Sequence, residues 1–274
     1  MRNLILLFTF FNFQLHSQDL LSLLNNEDDL KRDVIAVFKD SRIVNAQSSE
    51  QSSKGELKFL IQHRFGTINQ GSYALWGIDD AKVRFGFEYG LSEIFTLAIG
   101  RSSDKKQYDT SVKAKLKKQT TTFPISISTF SAFFQIHPSD FQRQRTDFDW
   151  SDFQSFSNQI ILTKKLSQQL SLAILPTHLY DNEINQRFFA GFGGRFKISK
   201  RVSINGEYFY PINKLSDTFN YLAVGFDIET GGHVFSLHLS NSRGMNEHAF
   251  LTEVADLKEG NIYFGFNISR NFAW

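Results

Sequence analysis

Asn261-Ile262-Tyr263-Phe264-Gly265-Phe266-Asn267-Ile268-Ser269-Arg270-Asn271-Phe272-Ala273-Trp274 closes the chain. Every even position except Arg270 holds a bulky apolar residue: Ile262, Phe264, Phe266, Ile268, Phe272 and Trp274. Most odd positions are small or polar. A period of two puts the apolar set on one face of a β-strand. Such a strand, ending on an aromatic, has the pattern of the closing strand of a bacterial outer-membrane β-barrel. One face meets lipid and the other meets the lumen. The pattern speaks for location and leaves the substrate open.

Working upstream, the same alternation recurs. Leu57, Phe59, Ile61 and Phe65 share a face, as do Ala81, Val83, Phe85, Phe87, Tyr89 and Leu91. Phe95, Leu97 and Ile99 follow, then Tyr108, Val112, Ala114 and Leu116, then Ile125, Ile127 and Phe133. Ile160 and Leu162 mark a weaker sixth segment; Leu170, Leu172, Ile174 and Tyr180 a seventh; Ala190, Phe192, Phe196 and Ile198 an eighth. Val202, Ile204, Tyr208 and Tyr210 give the ninth; Leu222, Val224, Phe226 and Ile228 the tenth; Phe235, Leu237 and Leu239 the eleventh. Long polar connections (66–79, 101–107, 135–152, 181–186, 211–217 and 242–259) alternate with short ones near Ser92, 119–122, Lys164 to Ser167, Ser199 and Thr230. Long external loops and short periplasmic turns are usual in such barrels. The expectation is an all-β transmembrane antiparallel up-and-down barrel of about 12 strands over 54–274, in the outer membrane.

Composition permits this. The chain has 274 residues, a formal charge of +2 and no cysteine. Disulfides, thiolate metal sites and a lipid-anchored cysteine are excluded, and no polyelectrolyte partner such as nucleic acid is implied. The 30 phenylalanines suit a lipid-facing surface with aromatic girdles. Mean hydropathy is slightly negative, which a barrel tolerates because only alternate residues face lipid. Arg2, the apolar stretch Leu4 to Leu15 and Ser17 resemble a secretory signal peptide, here placed at 1–17. Residues 18–53 read as a periplasmic extension, part of which folds into the barrel mouth as a plug or runs as linker, with 18–32 and 45–53 favoured as linker.

Parity also sorts the charges. Lys82, Arg84, Glu88, Lys113, Lys115, Arg195, Lys197, Glu207, Asp227 and Glu229 fall opposite the apolar face and are assigned to the lumen. Placed on the lipid face near the midplane, an Arg or Lys would cost ~2–4 kcal/mol. Mixed signs favour pairing across the bore, Arg84 and Arg195 with Glu207 or Glu229; an open channel whose selectivity these groups set is the alternative. Arg270 is the exception, near enough to its strand end to snorkel to the interface.

Several stretches resemble one family: Phe38-Lys39-Asp40-Ser41-Arg42-Ile43-Val44-Asn45, His63-Arg64-Phe65-Gly66, Gly100-Arg101-Ser102-Ser103, Ala190-Gly191-Phe192-Gly193-Gly194-Arg195-Phe196-Lys197, Gly225-Phe226-Asp227-Ile228-Glu229-Thr230-Gly231-Gly232-His233-Val234-Phe235, Asn241-Ser242-Arg243-Gly244-Met245 and Gly265-Phe266-Asn267-Ile268-Ser269-Arg270. Over roughly 37–274 the chain is similar to the Bacteroidetes outer-membrane β-barrel family called domain of unknown function 5777. The resemblance implies a Gram-negative outer-membrane barrel. It implies no activity and no catalytic residues.

The functional expectation is a porin-like narrow channel or a structural and assembly component, without enzymatic activity or cofactor. The alternative is a lipid-acting hydrolase using His238 and Ser240, an H-x-S pair on one strand face. Asp28-Asp29 and the aspartates at 140, 147, 149 and 152 lack a calcium-loop frame, so no metal is expected. Expected partners are outer-membrane lipid and the barrel-assembly machinery, which Phe266, Ile268, Phe272 and Trp274 would address as an assembly signal.

Overall fold

The computed structural model describes residues 34, 36–182, 185–213 and 218–273. The proposed signal peptide, residues 18–33 with Asp28-Asp29, and Trp274 lie outside the described residues. Twelve antiparallel strands form a closed barrel in sequence order. They are β1 (Leu57–Thr67), β2 (Lys82–Gly90), β3 (Phe95–Ser102), β4 (Tyr108–Lys117), β5 (Ser126–Gln135) and β6 (Gln154–Lys165). The second half comprises β7 (Leu170–Asp181), β8 (Asn185–Lys197), β9 (Val202–Pro211), β10 (Tyr221–Thr230), β11 (His233–Ser240) and β12 (Tyr263–Phe272). Two short helices sit in long loops, α1 (Asp140–Arg143) and α2 (Glu247–Thr252).

The barrel closes where β1 meets β12, with Ile61 opposite Ile268 and His63 opposite Phe266. Closure leaves no open strand edge in lipid, which is what a sheet needs to cross a bilayer. No helix among the described residues is long and apolar enough to cross a membrane. Side chains alternate as their sequence parity requires: along β6 buried and exposed positions strictly interleave from Ser155 to Ile161. Phe85, Phe87, Leu97, Ile99, Ile160, Ile174, Phe192, Ile204 and Val224 stand exposed on the outer wall. At the seam Phe266 stacks on His63 with ring centroids 4.9 Å apart, and Phe65 stacks on Phe264 at 5.6 Å. Arg270 projects outward with its guanidinium 4.9 Å from the Phe272 ring.

The interior departs from expectation. Its lining is not uniformly polar. β5 to β10 turn Phe130, Phe134, Ile161, Leu175, Leu179, Phe189, Phe209 and Tyr221 inward, and these form one cluster with Val37, Phe38, Ile43, Val44 and Ala46 from the amino-terminal segment and Phe250 and Leu251 from α2. Only the arc from β11 and β12 through β1 to β4 is lined almost wholly by polar side chains. The hydrophobic core of this barrel therefore lies in its lumen.

Candidate functional site

Residues 37–50 form a hairpin inside the lumen. Ser48 N–H donates to Ser41 carbonyl (2.9 Å) and Ile43 N–H to Ala46 carbonyl (2.8 Å), closing a turn over 42–47. Its base lies at the end of the short turns, where Gln51 Nε2 donates to the carbonyls of Glu93 and Ile94, and Gly55 N–H to that of Gly90. The linker expected at 45–53 is thus corrected: Ala46, Gln47, Ser48, Ser49 and Ser52 are all buried. Ala46 packs in the apolar cluster, and hydrogen bonds hold its neighbours, Gln47 to Glu247 and the Ser48 carbonyl to Lys113.

The hairpin tip is fixed by one carboxylate. Glu207, inward on β9, accepts from the consecutive backbone N–H groups of Val44 (3.0 Å), Asn45 (2.9 Å) and Ala46 (3.0 Å). Tyr221 donates its hydroxyl to the same carboxylate at 2.7 Å, and Asn45 Nδ2 donates to that hydroxyl at 2.6 Å. Asn267 Nδ2 donates to Val44 carbonyl at 2.9 Å, and its Oδ1 accepts from Arg64 at 3.0 Å. Arg64 also holds Asn45 Oδ1. The hairpin arms carry ion pairs to the wall: Lys58 to Asp40 at 2.6 Å and Lys39 to Glu229. Lys113 Nζ donates to the carbonyls of Ser41, Ser48 and Glu50 at 3.0–3.3 Å.

The long loop 241–262 enters the other end. Asn246 caps α2 by accepting from Ala249 N–H at 3.0 Å. Phe250 packs against Tyr221 and Phe209, centroids 4.8 and 5.5 Å away. His248 pairs with Asp181 at 2.6 Å and contacts Gln107 at 3.0 Å. Glu247 meets the hairpin directly, accepting from Gln47 Nε2 at 2.8 Å and Arg42 at 3.2 Å. Two inserts from opposite ends therefore touch in mid-lumen. Between hairpin and wall, the gap beside Asp40, Leu60, Asp227 and Asn267 is about 10 Å³, room for one water at most.

The luminal charges sort differently from expectation. Arg84, Glu88, Lys113, Glu207 and Asp227 are buried inside. Lys82, Lys115, Arg195, Lys197 and Glu229 sit half-buried nearer the strand ends. Pairing of Arg84 and Arg195 with Glu207 or Glu229 is corrected. Arg84 instead grips Asp109 with two hydrogen bonds of 2.9 and 2.5 Å, over Gly100, where a Cβ would strike the guanidinium. Arg195 donates to Ser203 at 3.1 Å, while Lys39 takes Glu229 and the hairpin takes Glu207. The backbone partners of Glu207 and the ion-pair partner of Glu229 lie in the extension, which strand parity alone cannot place, while those of Arg84 and Arg195 lie on β4 and β9.

The hydrolase constellation does not form. His238 and Ser240 both point into the lumen, away from lipid; both His238 ring nitrogens lack a partner, and Ser240 donates to Ser242 carbonyl at 2.5 Å. In the β5–β6 loop, Asp140 pairs with Arg143, Asp147 with Arg145, and Asp149 caps Ser151. At the same end of the barrel, Arg243 hydrogen-bonds Asp80 at 2.6 Å and so holds the pKa of the Asp80 carboxyl below its ordinary value.

A family model described as a membrane-bound β-barrel domain, domain of unknown function 5777, matches residues 38–272. The chain belongs to this family. The match begins at Phe38, so the luminal hairpin lies within the family's domain. A search of curated proteins finds no sequence match. Among solved structures, the chain is similar in fold to the NanC porin at 8% identity (TM-score 0.49; 78% of this chain, 98% of that one). It is also similar to the KdgM porin at 9% (0.49; 79% and 99%) and to an outer-membrane channel from Pseudomonas putida F1 at 10% (0.45; 81% and 97%). This family member is a closed membrane-bound β-barrel, with its apolar outer wall in lipid.

Proposed function

We propose that the barrel is a gated outer-membrane channel, closed at rest by the hairpin from the periplasmic end and by α2 from outside. One observation carries this reading. The hairpin fills the lumen without joining the sheet: its recorded bridge, Arg42 to Gln47, is internal. Side chains and a carboxylate hold it, so it can leave while every barrel ladder stays intact. The mixed charges left behind on β1, β2, β4 and β9 would then line a conducting path. The same reading keeps Phe266, Ile268 and Phe272 on the closing strand as the signal to the barrel-assembly machinery.

Planar-bilayer recording tests it. The full chain should be silent, and a chain with 37–50 replaced by a Gly/Ser linker should conduct steadily. A replaced chain that folds, judged by heat-modifiable gel mobility, yet stays silent would reject the channel and leave a structural barrel.

A further inference from the structure

A cavity of about 880 Å³ opens at the outer mouth, within the range of small-ligand sites. It is framed by the β3–β4 loop, the β5–β6 loop and α2, with Ile136, Pro138 and Phe153 as apolar wall and His248 reaching it from α2. Most of its charged groups are already engaged: Asp181 with His248, Glu253 with Lys105 at 2.7 Å, and Asp140 with Arg143. Two are not. The side chains of Lys106 and Asp152, on different loops, make no hydrogen bond or ion pair among the described residues, although Arg145 acts on Asp152 at longer range. Lys105 and Lys106 also hold consecutive left-handed backbone conformations, φ 47° and 48°. Side chains with a Cβ adopt these at a cost, and such residues gather at ligand sites.

We propose that this cavity binds a small zwitterionic solute, a free amino acid or short peptide, with its carboxylate at Lys106 and its ammonium at Asp152. One free cation and one free anion facing a partly apolar cavity match a ligand with both charges and an uncharged middle. Lys106 and Asp152 are both exposed at the cavity, where the two ends of such a ligand can pair with them while its middle lies on the Ile136, Pro138 and Phe153 wall. The site also bears on the gate. His248 borders the cavity, and the next residue back, Glu247, holds Arg42 and Gln47 of the hairpin tip. A solute that binds the open arrangement of α2 better than the closed one would shift the plug. That consequence rests on the channel reading; the binding does not.

Titration calorimetry on the full chain in detergent micelles tests the site, with trialanine as the probe. Trialanine should bind saturably at one site. Lys106→Ala and Asp152→Asn should each weaken it about two- to fivefold, one exposed ion pair each. Trialanine blocked at both ends, and maltose as an uncharged polyol, should give no saturable heat. No saturable binding by free trialanine, equal binding by the blocked peptide, or variants that bind like the parent would each overturn the proposal. A linker-replaced barrel that stays silent in bilayers would remove the channel reading and leave the calorimetry to decide this site alone.

Discussion

At the scale of single residues, Glu207 organises the interior. A buried carboxylate is costly unless its oxygens are answered, and here three backbone N–H groups and the Tyr221 hydroxyl answer them. Hydrogen bonds to a charged acceptor are worth ~1.5–3 kcal/mol each. Glu207→Ala should therefore loosen the hairpin tip, and amide exchange at 44–46 should quicken tenfold or more, a loss of at least ~1.4 kcal/mol. Glu207→Gln keeps a carbonyl acceptor and should quicken exchange less. Unchanged protection in the alanine variant would mean that the tip is held elsewhere. The inward direction of Glu207 was legible from parity on β9. Its backbone partners were not: they lie more than 160 residues upstream, in a segment without periodicity. His238 and Ser240 show the converse, since their spacing was legible and carried no chemistry. Face assignment already put them in the lumen.

Among the elements, the strands were the legible part because a half-buried strand writes its burial every second residue. The apolar residues on the inward parity also left a signal. Phe130 and Phe134 on β5, Leu175 and Leu179 on β7, and Phe189 and Phe209 on β8 and β9 cannot face water in an open pore without cost. Together with Val37 and Phe38 in the extension, they implied an apolar insert. Reading that lining as mixed charge alone hid it. α2 left less trace, being six residues long and buried on most of its surface. It is held by Phe250 against Tyr221 and Phe209. Truncating a buried Phe typically costs ~3–5 kcal/mol. Phe250→Ala should therefore free loop 241–262 to external protease on intact cells while the barrel keeps its heat-modifiable mobility. A loop as resistant as in the parent would show that the flanking hydrogen bonds suffice.

For the molecule as a whole, two separate tasks are assigned to two separate faces. The outer face supplies insertion, and the closed ladder from β1 to β12 supplies a wall without edges. The inner face supplies a core, shared between strands β5 to β10 and two inserts that belong to no strand. The hairpin over 37–50 is joined to the wall through side chains without a backbone ladder, and a channel requires it to be removable. A cross-link between hairpin and wall tests that most directly. Asp40 on the hairpin and Ser269 on β12 are short residues that meet side chain to side chain, and the protein has no cysteine to interfere. Single-channel current should be recorded for the Asp40→Cys/Ser269→Cys protein at raised voltage, before and after reduction. The account predicts silence while the disulfide is present and opening events once it is reduced. Identical current in both states, with the disulfide confirmed by mass spectrometry, would contradict it.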